Sequence, residues 1–385
     1  MINVFIIGCK GIPAQYGGFE TFVENLTKCK KDEKIKYYVS CMNNDEKDFV
    51  YNEANCFNVK VPFGGSFGRI LHVSRALSKV ESIVKTNIKQ DTNIIYILGC
   101  RIGPLMKKHA KRLRKLNCKV FCNPDGLEWK RSKWNFWQKK VLKYCEKCLV
   151  KNSDLAICDS KGIEKYINDK YPHIPTTYIA YGAYISKSKC ETNLFLEWLD
   201  KNNIEKYKYY LVVGRFVPEN NLEIIIREFM HSKTTKDLVI ITNVENNSFY
   251  KQLSKTLNFA KDKRIKFVGT VYDVELLKKI RENAFAYLHG HEVGGTNPSL
   301  LEALASTKLN ILLDVEFNKE VGMNSALYFN KSIGNLASLI DSLEDENIDF
   351  ELFDKQSTDR IAIAYSWKKI VSQYEKLFCQ MERKE

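Results

Sequence analysis

The sequence predicts an α/β protein with two doubly wound domains in tandem, and three observations predict that fold class. Short apolar runs alternate with longer amphipathic segments, as parallel strands alternate with crossover helices. The pattern pauses in a polar, lysine-rich stretch at residues 184–208 and then starts again. A chain of 385 residues is too long for one ordinary core but about right for two. We therefore expect an N-terminal domain at 1–187 and a C-terminal domain at 188–363, with their sheets facing a cleft.

Each predicted strand is a short apolar run, and segments with helical periodicity lie between the runs. The runs of the N-terminal domain lie at 3–8, 37–40, 93–98, 119–122, 155–158 and 177–180. Those of the C-terminal domain lie at 210–214, 238–242, 265–268, 284–288, 310–313 and 326–329. Open α/β sheets bind ligands beyond the carboxyl ends of their strands, so the loops that leave the strands are the informative ones.

Composition excludes several classes of protein. The longest apolar run, 94–98, is far shorter than the roughly 20 residues that span a bilayer, and the chain starts with a strand pattern rather than a leader. We therefore predict a cytoplasmic protein without a spanning helix. The twelve cysteines are scattered, which favours reduced thiols over a disulfide framework. Two pairs have spacings like those of zinc ligands, but they fall in a strand and in a helical pattern, so we expect no zinc site: Cys118 with Cys122, and Cys145 with Cys148.

The positive charge of the chain is concentrated in one stretch. Residues 101–151 contain 16 lysines and arginines against three acids, which is nearly the whole net charge of +14. Aromatic residues are interleaved with these cations: Trp129, Trp134, Phe136, Trp137 and Tyr144. This composition is typical of a surface that meets anionic lipid headgroups, a phosphorylated substrate or nucleic acid, while a solvated basic helix face is the simpler alternative.

Two strand-to-helix loops contain residues suited to binding a phosphate. The loop after the first strand ends in Gly17-Gly18 at the start of a helix, where backbone N–H groups favour an anion, although a tight turn also explains a single glycine. It has neither the GxGxxG pattern of dinucleotide-binding folds nor a P-loop. In the C-terminal domain Arg215 follows a strand, and its guanidinium suits a diphosphate, with a surface salt bridge as the alternative.

The segment 290–306, GHEVGGTNPSLLEALAS, changes abruptly from a glycine-rich loop to a helix. Asn297 is predicted to cap that helix, with Pro298 at its first position and the helix running over 299–306. Its first N–H groups would then face an anion above Gly294, Gly295 and Thr296. Glu302 lies one turn further and is predicted to accept hydrogen bonds from ribose hydroxyls; a solvated helix carboxylate is the alternative.

Together these motifs resemble the retaining nucleotide-sugar glycosyltransferases of family 4, which have the GT-B architecture. Within that family the chain is similar to bacterial rhamnosyltransferases that build capsule, O-antigen or cell-wall polysaccharide. The segments that carry the resemblance are GIPAQYGGFETFVE, NPDGLEWKRSKW, AYGA, GRFVPENN and HGHEVGGTNPSLLEA. The resemblance implies that the C-terminal domain binds the nucleotide diphosphate, that the N-terminal domain binds the acceptor, and that a C-terminal helix at 364–385 returns to the N-terminal domain.

The chain departs from the family pattern at two positions. Asn220 stands where the family has a lysine five residues after the phosphate-binding arginine. The family also has a glutamate eight residues before the second one, where this chain has Gly294, and the nearest acid is Glu292. The resemblance therefore implies Glu302 as the ribose ligand and leaves the sugar contacts to Glu292, His291 or the loop backbone. The altered pocket favours a deoxythymidine diphosphate sugar, dTDP-rhamnose, as donor.

The resemblance also implies a mechanism and partners. The chain has no Asp-x-Asp triplet, so we expect no metal and no cofactor, and helix N-termini with Arg215 would neutralise the leaving diphosphate. Asp125 and Glu128 are candidates for orienting the acceptor hydroxyl, with capping of a helix near Trp129 as the alternative.

Acceptors of such enzymes are sugars on polyprenyl diphosphates, so we expect peripheral association with the cytoplasmic face of the inner membrane. The patch expected to meet it is Lys130, Arg131, Lys133, Trp134 and Trp137. Another donor, such as UDP-glucose, and a nucleic-acid-binding protein are the alternatives. No nucleic-acid-binding module is recognisable, so no nucleic-acid partner is expected.

Overall fold

A computed structural model describes residues 1–15, 17–43, 47–87, 91–345 and 348–381. The chain divides into two compact units: Met1–Gly182 together with Trp367–Glu385, and Ala183–Ser366. The observed boundaries lie five residues before the expected one at 187/188 and three residues after the expected one at 363/364. At these positions the Ala183 N–H donates to the Tyr365 carbonyl, and Gly182 lies against the Trp367 ring.

The N-terminal unit contains an eight-stranded sheet in the order β3-β4-β2-β1-β5-β6-β7-β8. Its strands are β1 (Ile2–Ile7), β2 (Ile35–Cys41), β3 (Phe49–Tyr51), β4 (Ala54–Asn58), β5 (Thr92–Leu98), β6 (Lys119–Asn123), β7 (Leu155–Cys158) and β8 (Thr176–Tyr178). Its helices are α1 (Gly18–Lys28), α2 (Gly65–Asn87), α3 (Met106–Lys115), α4 (Phe136–Lys151) and α5 (Lys161–Lys170), with α14 (Trp367–Cys379) from the end of the chain. All pairs are parallel except β3 with β4.

The C-terminal unit contains a six-stranded parallel sheet in the order β11-β10-β9-β12-β13-β14. Its strands are β9 (Tyr209–Val213), β10 (Asp237–Ile241), β11 (Ile265–Phe267), β12 (Ala286–His289), β13 (Asn310–Leu313) and β14 (Leu327–Phe329). Its helices are α6 (Thr192–Asn202), α7 (Leu222–His231), α8 (Ser248–Leu257), α9 (Val274–Glu282), α10 (Pro298–Leu304), α11 (Glu316–Gly322), α12 (Asn335–Asp345) and α13 (Phe350–Arg360). The strand order reverses direction next to β9, which makes the carboxyl ends of β9 and β12 the switch point of this sheet.

The predicted α/β class with two Rossmann-like domains is confirmed. Every predicted strand is present, and no predicted strand end differs from the observed one by more than two residues. The sequence did not predict β3 and β4, which form a short antiparallel pair at the sheet edge. Their turn at Asn52 and Glu53 has positive φ at two non-glycine residues, and the segment lacks the continuous apolar run of a central strand.

Helix α14 belongs to the core of the N-terminal unit. Tyr374 and Phe378 are fully buried, and the Tyr374 hydroxyl lies 3.0 Å from that of Tyr96 on β5. Glu375 accepts the backbone N–H of Lys31 at 2.6 Å. Among the described residues, no helix has the length and apolar character that crossing a membrane requires.

Candidate functional site

Two loops meet at the switch point of the C-terminal sheet. Strands β9 and β12 are parallel neighbours, so the loop 214–221 after β9 and the loop 290–297 after β12 leave the same edge. The Glu292 N–H donates to the Glu219 carbonyl at 3.0 Å, and the Asn221 amide donates to the Gly290 carbonyl at 2.8 Å. A β-carbon on Gly290 would lie 2.4 Å from the Asn220 carbonyl oxygen, so only glycine permits this approach.

Asn220 joins the two loops through both ends of its side-chain amide. Its Nδ2 donates to the Arg215 carbonyl at 2.7 Å, which fixes the amide orientation and directs Oδ1 toward His291. The Nδ1–H of His291 donates to that oxygen at 2.6 Å, which places Nε2 on the side of Gly294. Asn220 thus positions His291 and the Arg215 loop, and its contact with the donor stays a prediction.

Glu292 is engaged within the same domain. Its Oε2 accepts from the Asn221 amide at 3.3 Å and from Lys331 Nζ at 2.6 Å. Partial burial raises the pKa of this carboxyl, but the contacts with Lys331 and Asn221 outweigh burial and hold the pKa below its ordinary value. The carboxylate predicted as a sugar ligand thus already has a cation and an amide as partners.

Asn297 caps the helix that follows the second loop, as the sequence predicts. Its Oδ1 accepts the N–H groups of Ser299 and Leu300, and Pro298 stands at the first position. Helix α10 ends at Leu304 rather than at 306, and the last turn tightens where the Ser306 N–H donates to the Ala303 carbonyl three residues before it. Gly294, Gly295 and Thr296 lead into it, and Gly294 has a φ of 145° that favours glycine.

Glu302 forms an ion pair that the sequence did not predict. Its Oε2 lies 2.8 Å from the guanidinium of Arg281 on α9, whose side chain is 4% exposed while that of Glu302 is 42% exposed. Arg281 also donates to the Ser299 hydroxyl at 3.3 Å. The two residues are 21 positions apart, and no sequence motif links them. The one available indication was that Arg281 lies on the buried side of an amphipathic helix, where a cation needs a polar partner.

Beneath this pair lies a buried polar group of side chains. The Tyr287 hydroxyl lies 3.2 Å from the Ser299 hydroxyl and 3.4 Å from Nδ1 of His289. Burial lowers the pKa of His289 well below its ordinary value, and the neighbouring His291 adds to the effect, so the imidazole is neutral. These contacts join the end of β12 to the start of α10 and hold both loops in place.

Arg215 is exposed, and no described acid forms an ion pair with it. Its backbone is held by Asn220, so the guanidinium leaves the loop from a fixed anchor. In this domain the structure therefore brings Arg215, Asn220, His291 and Glu292 together with the glycine loop and the capped end of α10.

The other predicted donor loop, in the N-terminal unit, contains a carboxylate. Gly17 has a φ of 135°, and a β-carbon there would lie 2.0 Å from Oε2 of Glu20. The other oxygen of Glu20 accepts the Lys10 N–H at 2.7 Å. The start of α1 at Gly18 is thus already met by a negative group, which disfavours a phosphate at Gly17 and Gly18 and leaves that role a prediction.

Asp125 and Glu128 lie in the loop after β6 and have different surroundings. Asp125 has a φ of 62°, and its carboxylate accepts the Gly126 N–H at 2.8 Å, so it shapes a turn and does not cap a helix. Glu128 pairs with Arg131 and Lys133, each at 2.8 Å. Burial raises the pKa of Glu128, but these cations and Arg101 lower it below its ordinary value. Glu128 therefore organises its own loop, and Asp125 is the better candidate for contact with an acceptor.

Three of the five residues of the predicted membrane patch contact Glu128 within that loop. Arg131 and Lys133 are the cations that pair with Glu128, and the Trp134 indole N–H donates to Glu128 at 3.2 Å. Lys130 is exposed, and Trp137 is 71% exposed. Only part of the predicted patch is therefore available to a partner.

Histidines, cysteines and acids form no group of three suited to a metal ion anywhere in the described part of the chain. All twelve cysteines are free thiols, including the two pairs with spacings like those of zinc ligands. Metal independence of the reaction stays a prediction.

Comparisons with known proteins agree with this architecture. Residues 195–360 match the family described as Glycosyl transferases group 1, and residues 1–184 match a domain of unknown function, DUF1972. The uncharacterized glycosyltransferase MJ1069 of Methanocaldococcus jannaschii is 26% identical over 391 residues, covering 94% of each chain. The C-terminal part of this chain thus matches the group 1 glycosyltransferase family, and these matches support glycosyltransferase activity.

Solved structures share the fold over nearly the whole chain. Sucrose-phosphate synthase from Thermosynechococcus elongatus matches with a TM-score of 0.73 and 14% identity, covering 99% of each chain. Anabaena Alr3699/HepE in complex with UDP and glucose matches with a TM-score of 0.72 and 14% identity, covering 99% of this chain and all of the other. At these identities the likeness shows the fold, and that fold is GT-B.

Proposed function

We propose that this chain, which carries a group 1 glycosyltransferase domain on a GT-B fold, is a retaining glycosyltransferase. In this proposal it moves L-rhamnose from dTDP-β-L-rhamnose onto a lipid-linked saccharide for capsule, O-antigen or cell-wall polysaccharide. The observation that carries the proposal is the pair of linked loops at the switch point of the C-terminal sheet, where Arg215, the glycine loop and the capped start of α10 converge.

The edge of the C-terminal sheet where the two loops meet carries groups that complement the negative charge of the donor diphosphate. Backbone N–H groups of Gly294 and Gly295 and the guanidinium of Arg215 are proposed to donate to its oxygens. The side-chain hydrogen bonds of Asn220 to the Arg215 carbonyl and to His291 hold the arginine loop against the second loop. Stabilising the leaving diphosphate is the main electrostatic task in such a transfer. The absence of an Asp-x-Asp triplet from the sequence favours a metal-independent reaction.

The ribose and the transferred sugar are assigned to different parts of the site. Glu302 is proposed to accept from the 3′-hydroxyl of the nucleotide deoxyribose through Oε1, since Oε2 is held by Arg281. His291 is proposed to lie beside the transferred sugar, with its ring oriented by the hydrogen bond from Nδ1–H to Asn220. In a retaining transfer, the departing phosphate oxygen takes the proton of the acceptor hydroxyl on the same face of the sugar.

The acceptor is proposed to be a saccharide on a polyprenyl diphosphate, with Asp125 as the carboxylate that orients its hydroxyl. Asp125 supports this role better than Glu128, because Glu128 already pairs with two cations. The protein would then act at the cytoplasmic face of the inner membrane without spanning it.

A UDP-sugar is the second candidate donor. It is favoured by the solved structure of Anabaena HepE, which is described with UDP and glucose and shares the fold of this chain. The two candidates differ in the base and in the 2′-hydroxyl of the ribose, so a binding experiment with both nucleotides separates them. Nothing in the comparisons favours a nucleic-acid-binding function.

Thermal stabilisation of the purified protein tests the donor assignment. With EDTA present, dTDP and dTDP-rhamnose are expected to raise the melting temperature more than UDP or GDP, since a ligand at about 100 times its dissociation constant adds about 2.7 kcal/mol of stability. The Arg215→Ala variant is expected to lose this response, whereas Lys255→Ala, an exposed change on α8, keeps it. A larger response to UDP selects the second candidate, and no response to any nucleotide contradicts the proposal.

A further inference from the structure

Helix α4 exposes large apolar side chains at its N-terminal end. Phe136 is 63% exposed, Trp137 71%, Val141 60% and Tyr144 55%. The helix start is well fixed, because Asn135 and Gln138 form a reciprocal capping box. These side chains are therefore held on a regular helix, on the side away from the core.

The exposed residues form two parallel rows. Trp137, Val141 and Tyr144 follow the i, i+4, i+7 spacing of one helix stripe. Lys140, Lys143 and Lys147 follow the i, i+3, i+7 spacing of the stripe beside it, and all three are exposed. The residues that pack against the domain lie on the opposite side: Cys145, Glu146, Leu149 and Val150. Helix α4 thus has a second apolar stripe that the core does not use.

No acid interrupts the outer rows. The acid of α4, Glu146, is buried and accepts hydrogen bonds from Trp129, Tyr166 and Tyr171. Lys140 Nζ lies 4.4 Å from the Phe136 ring centroid and 5.1 Å from that of Trp137, so a cation lies directly beside the aromatic row. The surface therefore combines aromatic side chains with positive charge alone.

We propose that this outer face of α4 docks on an anionic lipid bilayer; its residues are Phe136, Trp137, Lys140, Val141, Lys143, Tyr144 and Lys147. This inference rests on the proposed function, which requires a lipid-linked acceptor. Charge complementarity decides the occupant: headgroup phosphates match the lysine row, while a second copy of the same face would set lysines against lysines. The docking element is thus α4 rather than the loop at 130–134, where Arg131 and Lys133 are paired with Glu128.

The two rows suit the two layers of a membrane surface. Tryptophan and tyrosine favour the boundary between headgroups and acyl chains, where the ring is apolar and the polar atom stays hydrated. Lysines beside them reach the headgroup phosphates while their stems lie along apolar surface. A helix lying in the interface plane is the arrangement in which both rows make contact at once.

Co-sedimentation with vesicles tests the apolar row. The 385-residue protein is expected to bind phosphatidylcholine vesicles containing phosphatidylglycerol at low salt and to bind pure phosphatidylcholine poorly. Replacing Trp137, Val141 and Tyr144 by serine is expected to lower the partition coefficient at least about tenfold. The matched control changes Tyr272 and Val274 to serine, since these are 73% and 75% exposed in the other domain, and it should bind like the wild type.

A second variant tests the lysine row. Changing Lys140, Lys143 and Lys147 to glutamate is expected to lower binding to anionic vesicles on the order of a hundredfold at low salt. The control variant changes Lys251 and Lys255 on α8, which are also exposed, to glutamate. It should bind like the wild type. Tryptophan fluorescence, to which all five tryptophans of the chain contribute, should be partly quenched by brominated acyl chains in the wild type and not in the lysine variant.

The outcomes separate this inference from the donor assignment. Failure of the wild type to bind anionic vesicles, or equal binding by the α4 variants, overturns the docking role of α4 even if dTDP stabilises the protein. A dimer that dissociates in the serine variant, seen by light scattering, instead assigns the face to a second copy. Vesicle binding without any nucleotide response leaves α4 as a docking surface and contradicts the proposed donor.

Discussion

At the scale of single residues, the site depends on pairings that are distant in sequence. Asn297 could be predicted as a cap because its signal is local: a capping residue, then proline, then a helical pattern. The ion pair of Glu302 with Arg281 and the contact of Asn220 with His291 join residues 21 and 71 apart. Such contacts follow from strand order, so the composition of either loop alone does not reveal them.

The Arg281–Glu302 pair gives a test that separates stability from binding. Glu302→Ala leaves a buried guanidinium without its carboxylate, which is expected to cost about 1–2 kcal/mol, less than a fully buried pair because Glu302 is half-exposed. Adding Arg281→Met removes the stranded charge and is expected to restore most of that loss. Urea unfolding measures both variants.

Nucleotide binding should respond differently from stability in these two variants. Both lack the proposed ribose ligand, so dTDP should stabilise the single and the double variant equally weakly. If Arg281→Met with Glu302→Ala regains the full dTDP response, Glu302 is a structural residue and its assignment to the ribose is wrong.

At the scale of elements, the hydrophobic period and the length of the apolar runs predicted most strands of both sheets. The elements that were missed or misjudged have physical reasons. Strands β3 and β4 lie at an edge, where a short polar segment is enough to pair, so their sequence resembles a loop. Helix α10 is two residues shorter than expected, and a tighter i→i−3 bond from Ser306 to Ala303 follows its end. The amphipathic pattern of α4 indicated a helix but not which of its apolar stripes faces outward.

The close approach of the loops after β9 and β12 predicts an effect of Gly290→Ala. The added β-carbon would lie 2.4 Å from the Asn220 carbonyl oxygen and 2.9 Å from the Ile225 side chain, so the loops must separate. We expect a destabilisation of about 1–3 kcal/mol in urea unfolding. Gly64→Ala, which meets nothing within 4 Å, is the control and should be close to neutral. Equal stability of the two variants would mean that the loops are not held together as described.

At the scale of the whole molecule, the chain folds as two α/β units, and its last helix returns to the first unit. The restart of the strand pattern predicted the division, while the return of α14 came only from the family resemblance, because an amphipathic helix does not encode which core it joins. The charge of the chain is likewise a property of the whole: the excess falls in residues 101–151, which include α3 and α4.

The most direct test of the central claim is transfer of rhamnose itself. Purified protein is incubated with dTDP-β-L-rhamnose, EDTA and a polyprenyl-diphosphate saccharide, and the product is analysed by NMR. A retaining, metal-independent rhamnosyltransferase gives a β-linked rhamnoside and free dTDP, and Arg215→Ala forms neither. An α-linked product would contradict retention, a requirement for added divalent metal would contradict metal independence, and transfer from UDP-glucose alone would contradict the donor.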